Sequence, residues 1–128
     1  MSYYLGTVLP LEFEEAIRRV TEALKREGFG IITEIDVTAT LKSKINVDFR
    51  PYRILGACNP ALAHEALLLE DKVGTMLPCN VIVQELAPGR VEVAAVDPVA
   101  SMMAIDNPDL HVKAAAVRAK LKQAIDSL

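Results

Sequence analysis

Cys58 and Cys79 are the residues of this chain whose side chains could do the most distinctive chemistry, and each is followed directly by an asparagine, Asn59 and Asn80. A pair of thiols can form a reversible disulfide, or one can attack as a thiolate. Two thiolates with a thioether, from Met102 or Met103, would suit a soft ion such as Cu(I). The spacing is no CxxC, so these readings need two segments distant in sequence to meet at one pocket. A helix starting at Pro60 would set free N–H groups just past Cys58, which favours the thiolate there. The structural alternative is plain: a free cysteine packs as a small hydrophobe, and Cys58 shares a strand face with Ile54. Asn59 has a sufficient role as a helix cap. Asn80 has none that the sequence supplies, and its amide could hold a ligand or brace the turn after Pro78. Cys58, Asn59, Cys79 and Asn80 are therefore the candidate ligand-binding set, and Cys58, Cys79 and Met102 the candidate metal set.

Lys42, Lys44, Arg50 and Arg53 cluster against a single acid, Asp48, and could receive a phosphate or carboxylate. A solvated loop and helix face is the alternative. His64 and His111 add no zinc site, because neither cysteines nor histidines come in the tight pairs such sites use. Gly28-Phe29-Gly30 is too short for a dinucleotide fingerprint and reads as a helix stop and turn. Glu65, Glu70 and Asp71 form no carboxylate pair that spacing alone ties to acid–base work. Ser2, Ser43, Ser101 and Ser127 lack a nucleophile-elbow context, so the sequence leaves enzyme activity open and points to no cofactor.

The elements that must position these residues follow from periodicity and punctuation. Residues 2–8 read as a strand. A helix follows Pro10, with Glu12, Glu14 and Glu15 early, Lys25 and Arg26 late, and Phe13, Ala16, Ile17, Val20 and Leu24 at helical spacing up to a stop at Gly28. Residues 30–37 read as a strand with Ile31, Thr33, Ile35 and Val37 on one side. Thr38 or Thr40 could cap a short helix through Lys44, and 46–51 read as loop. Residues 52–58 form the next strand. Asn59-Pro60 then starts a helix carrying Leu62, Ala66, Leu69 and Val73, with Gly74 as its stop. Residues 79–86 and 90–96 form a hairpin linked by Ala87-Pro88-Gly89. Asp97-Pro98 breaks the strand, 99–105 is a short helix or turn, and Asn107-Pro108 starts the last helix. That helix turns Leu110, Ala114, Val117, Leu121, Ile125 and Leu128 inward and Lys113, Lys120 and Lys122 outward. The order is β-α-β-β-α-β-β-α with a minor helix between the second and third strands. It describes an α+β fold, mostly antiparallel, with helices on one face of the sheet.

Composition bounds the rest. The chain has 128 residues, one domain over 1–128, with 52% apolar and 24% charged residues, too apolar for disorder. That apolar share leans toward a surface covered by a partner or a second copy. A net charge of −3 and 5% aromatics argue against a nucleic-acid binder. No apolar run approaches the roughly 18 residues a membrane span needs. The start, Met1 to Gly6, has no basic region before an apolar stretch, so no secretory signal is expected. A cytoplasmic location with both thiols reduced follows as the expectation.

Two motifs carry a family resemblance. Tyr52-Arg53-Ile54-Leu55-Gly56-Ala57-Cys58-Asn59-Pro60-Ala61-Leu62-Ala63 and Leu77-Pro78-Cys79-Asn80-Val81-Ile82-Val83, with Asp97-Pro98 and Met102 downstream, resemble the hallmarks of the "domain of unknown function 302" family. The resemblance implies an α+β fold similar to the TATA-binding-protein-like class, and a homodimer; it implies no activity. Three functions stay open. The first is a homodimeric module that binds a small molecule in a pocket between the sheet and the helix after Cys58. The second is a thiol redox or copper protein using Cys58 and Cys79. The third is a structural or regulatory dimer without a ligand.

Overall fold

Helix ends in this chain are written into single residues, and the computed structural model, which describes residues 2–128, shows how. Met1 lies outside the described residues. Helix α1 (Phe13–Arg26) carries Glu14 and Glu15 in its first turn and Lys25 and Arg26 in its last, matching the helix dipole. It buries Ala16, Ile17, Val20, Ala23 and Leu24. It stops where Gly28 adopts φ +87°. Gly28 N–H donates to the Lys25 carbonyl and Phe29 N–H to that of Leu24, the double closure of a Schellman motif, with Phe29 and Leu24 both buried.

Five strands, β1 (Tyr4–Leu9), β2 (Gly30–Asp36), β3 (Tyr52–Cys58), β4 (Cys79–Ala87) and β5 (Arg90–Val96), make one sheet in the order β1-β5-β4-β3-β2. Every pairing is antiparallel. The α+β, antiparallel expectation therefore holds. Leu55, Ala57, Val81, Val83, Val91, Val93 and Ala95 point to one face, where α1 and the final helix, α5 (Pro108–Asp126), pack over them. The row Ile35, Ile54, Ile82, Ala94, Gly6 crosses all five strands on the other face, where Ile35 is exposed. At the β4–β5 turn, Gly89 takes φ +71° after Pro88, the residue order a type II turn asks for.

The sequence reading needs correction in several places. The pairing of β2 slips between Ile31 and Thr33, so Ile31 lies opposite Ala57 on the core side while Thr33 and Ile35 lie opposite Gly56 and Ile54. Strict alternation would have put all three on one side; the bulge at Ile32 separates them. Gly56 is the reason a neighbour fits so close, since a side chain there would collide with the Thr33 hydroxyl and the Pro78 ring. The short helix α2 (Val37–Ile45) is capped by Asp36, whose carboxylate accepts from Ala39 N–H, not by Thr38 or Thr40. Those hydroxyls donate instead to the carbonyls of Arg50 and Asp36.

Helix α3 (Pro60–Leu69) begins as expected, with Asn59 accepting from Leu62 N–H. It ends at Leu69 rather than running to Val73: Glu70 turns extended, its carboxylate accepts from Lys72 N–H, and Asn107 of a distant segment donates its amide N–H to the Leu69 carbonyl. Val73 falls in a separate 3-10 turn, Val73–Met76, and is fully buried there. The four-residue α4 (Pro98–Ser101) is capped by Asp97, which also accepts from Arg118 of α5 at 2.9 Å. Ala66, Val73, Met102, Leu110 and Ala114 form a second, smaller apolar cluster beside the main core.

Candidate functional site

The two clusters do not close on each other completely. Between them lies a cavity of about 340 Å³. Its floor is the end of β3 and the start of β4, through Ala57, Cys58, Pro78 and Cys79; its walls are α3 and α5. The space exists because the facing positions are small: Ala63 and Ala66 on α3 meet Ala114 on α5. Met102 and Phe29, both buried, complete the lining. The volume falls at the lower end of the range of small-molecule sites.

Cys79 is directly opposite Ala57 in the β3–β4 ladder, so Cys58 is the next residue along. Strand alternation alone would send Cys58 to the face opposite Cys79. It reaches the cavity because it is the last residue of β3, where the chain leaves the sheet for the Asn59 cap. Cys79 is buried and Cys58 half-buried, and both are free thiols. Burial, and then the nearness of Cys58, push the Cys79 thiol up from 9.0 to about 11. Cys79 is therefore a neutral thiol at neutral pH, not an activated nucleophile.

Three of the four candidate ligand residues, Cys58, Asn59 and Cys79, line this one recess, as does Met102. Asn80 does not. It lies on the opposite face of the sheet, in a shallow depression with Tyr52, Ile82, Gln84 and Ala94, because neighbouring strand residues point to opposite sides. Met103 is exposed and outside the cavity. Among the described residues no three His, Cys, Asp or Glu side chains converge as a metal cluster. His64 is exposed, and His111 donates from Nε2 to the Ile105 carbonyl at 2.6 Å.

The basic cluster is dispersed. Arg53 clasps Glu14 of α1 at 2.7 Å and Glu34 of β2 at 3.0 Å, and its guanidinium lies 5.5 Å from the Phe13 ring centre. Arg50 donates to Gln84 and stacks over Phe49, and Lys42 pairs with Asp48. Each of these three has a local partner of its own, and Lys44 is exposed.

Lys113 is a site residue that the sequence reading turned outward. It lines the cavity, and its Nζ lies 3.0 Å from Oε2 of Glu65 on α3. The signal was present: Leu110, Lys113, Ala114 and Val117 follow helical spacing, and all four line the same recess.

The family model described as "Domain of unknown function DUF302" matches residues 6–128. The chain is also similar to a crystal structure of the "uncharacterized conserved protein DUF302 from Bacillus stearothermophilus", at 30% identity over 98% of each chain and a TM-score of 0.90. No curated protein matches it.

Proposed function

Since this chain belongs to the DUF302 family, described only as of unknown function, its role has to be read from its own site, and we propose that it is a small-molecule-binding module whose ligand occupies the cavity between the sheet, α3 and α5. The observation that carries this reading is a recess of about 340 Å³ with an almost wholly apolar lining. The recess opens to water past Ile32 and Leu67, both exposed, so its apolar walls are wetted surface that bound apolar groups would cover. Titration with 1-octanol, followed by calorimetry and by amide shifts in α3 and α5, tests it. Saturable binding that vanishes when Ala114→Leu fills the space supports the reading. No binding by the wild-type protein would overturn it.

A second reading rests on three sulfur-bearing residues, Cys58, Cys79 and Met102, on the lining of the same recess. Thiolate and thioether ligands select Cu(I), and metal binding would have to displace the Cys79 proton. Competition against a Cu(I) chelator, lost in both Cys58→Ala and Cys79→Ala, would favour it; unchanged competition would remove it. The homodimer belongs to the same proposal: the open sheet face leaves Tyr4, Val8 and Ile35 exposed, which suits a second copy. Sedimentation at micromolar concentration showing monomer alone would contradict it.

A further inference from the structure

The cavity has one charged residue on its lining, and its position says what kind of ligand it would take. We infer that the ligand is an amphiphile, an aliphatic body with a singly charged acidic head, held by Lys113 at the edge of the recess; this inference rests on the cavity reading above.

Lys113 is on α5 between Leu110 and Ala114, and all three line the cavity. Its side chain is 39% exposed, so the ammonium stands between the apolar interior and water. A lysine stem along apolar surface with its head at the boundary is the arrangement that meets an acid whose tail is buried and whose head is wet. Glu65 now neutralises Lys113 from α3, but Glu65 does not line the cavity. Lys113 thus lines the recess while its ammonium is paired with a carboxylate outside it, within reach of an acid head placed at the rim. A bound carboxylate would take over, or share, the position Glu65 holds.

The charge count narrows the head group. Lys113 is the only cation among the described residues that line the recess, and Glu65 stays within reach of it. A second negative charge would meet no further cation and would face Glu65, so a monocarboxylate suits the site better than a phosphate monoester. Asn59 adds no charge, and its side-chain oxygen is held by Leu62 N–H as the α3 cap. Cys79 adds no negative charge at neutral pH, its thiol being pushed up to about 11.

Octanoate and 1-octanol share a chain and differ in the head, so they separate this inference from the cavity reading. In calorimetric titrations at pH 8 and low salt, the wild-type protein should bind octanoate several-fold to about tenfold more tightly than 1-octanol. Lys113→Met should abolish that preference, bringing the octanoate and 1-octanol affinities to parity. Lys113→Arg should keep it. Glu65→Gln, which removes the competing carboxylate, should tighten octanoate several-fold and leave 1-octanol alone. Equal binding of the two probes by the wild type, or a preference that survives Lys113→Met, overturns the assignment of Lys113 and leaves the cavity reading standing. Failure of both probes to bind overturns the cavity reading and this inference with it.

Discussion

Lys113 of α5 and Glu65 of α3 form a 3.0 Å ion pair that joins the two helices walling the cavity, and both side chains are well exposed, 39% and 48%. Exposed pairs of this kind contribute about 0–1 kcal/mol, reduced further by salt. Lys113→Met and Glu65→Gln should therefore each leave the urea midpoint nearly unchanged. A loss beyond about 1 kcal/mol would show the pair to be a structural tie between the helices.

Ala66 and Ala114 face the recess from opposite walls, so enlarging either should fill space instead of straining a packed core. Overpacking elsewhere in a core costs about 1–3 kcal/mol. Ala66→Leu should be neutral or stabilising in urea denaturation. A cost in the overpacking range would mean that the void is not available to a side chain, and hence not to a ligand.

The Cys79 thiol links stability to alkaline pH. Its folded-state pKa is raised from 9.0 to about 11, so the native state holds the proton more tightly than the unfolded chain. The stabilisation is fully present below pH 9 and is lost as pH rises toward 11. Its size is about 2–3 kcal/mol, from about 1.4 kcal/mol per unit. The difference in unfolding free energy between the wild type and Cys79→Val should shrink by that order across this window. At pH 8, a thiol-alkylating reagent should modify half-buried Cys58 quickly and Cys79 slowly; equal rates would contradict the burial of Cys79.

Asn107 works in two directions at once. Its side-chain oxygen accepts from Leu110 N–H at the start of α5, and its amide N–H donates to the Leu69 carbonyl at the end of α3. Asn107→Asp keeps the acceptor and loses the donor, and should cost about 1 kcal/mol or somewhat more. Asn107→Ala loses both and should cost about 1 kcal/mol beyond that, measured by denaturant unfolding. Equal losses would mean that the Leu69 contact contributes all of the effect.

Arg53 should behave as a clasp and not as an anion receptor. Partial burial opposes its charge, but Glu14 and then Glu34 more than offset that, and its pKa is raised. Arg53→Met should destabilise the protein by about 1–2 kcal/mol, because it leaves Glu14 and Glu34 facing each other with their shared hydrogen-bond donors gone. Titration with inorganic phosphate should give no Arg53-dependent binding.

What could be read from the sequence was whatever the chain encodes locally. Asn59-Pro60 and Asn107-Pro108 start helices because cap and proline act within one turn. Gly28 ends α1 for the same kind of reason. The β4–β5 hairpin is set by its own turn. The errors are non-local. The end of α3 is shared between Glu70, whose carboxylate accepts from Lys72 N–H, and the distant Asn107, which donates to the Leu69 carbonyl. Nothing in residues 30–36 marks the bulge at Ile32, which depends on what faces Gly56 across the sheet. Asn80 and Lys113 were errors of a different kind. Period two already separates Asn80 from Cys79, and helical spacing already joins Lys113 to Leu110 and Ala114.

The strand order also bears on how the chain could be made. Strand β1 pairs only with β5, Tyr4 opposite Val96, and β2 only with β3. Emerging from a ribosome, the first strand would wait, unpaired along its edge, until most of the polypeptide had been synthesised. The apolar side of α1 would wait with it for the sheet it covers. Assembly would then be governed by the late β4–β5 hairpin, and a nascent chain stalled before that hairpin would present bare strand edges to chaperones.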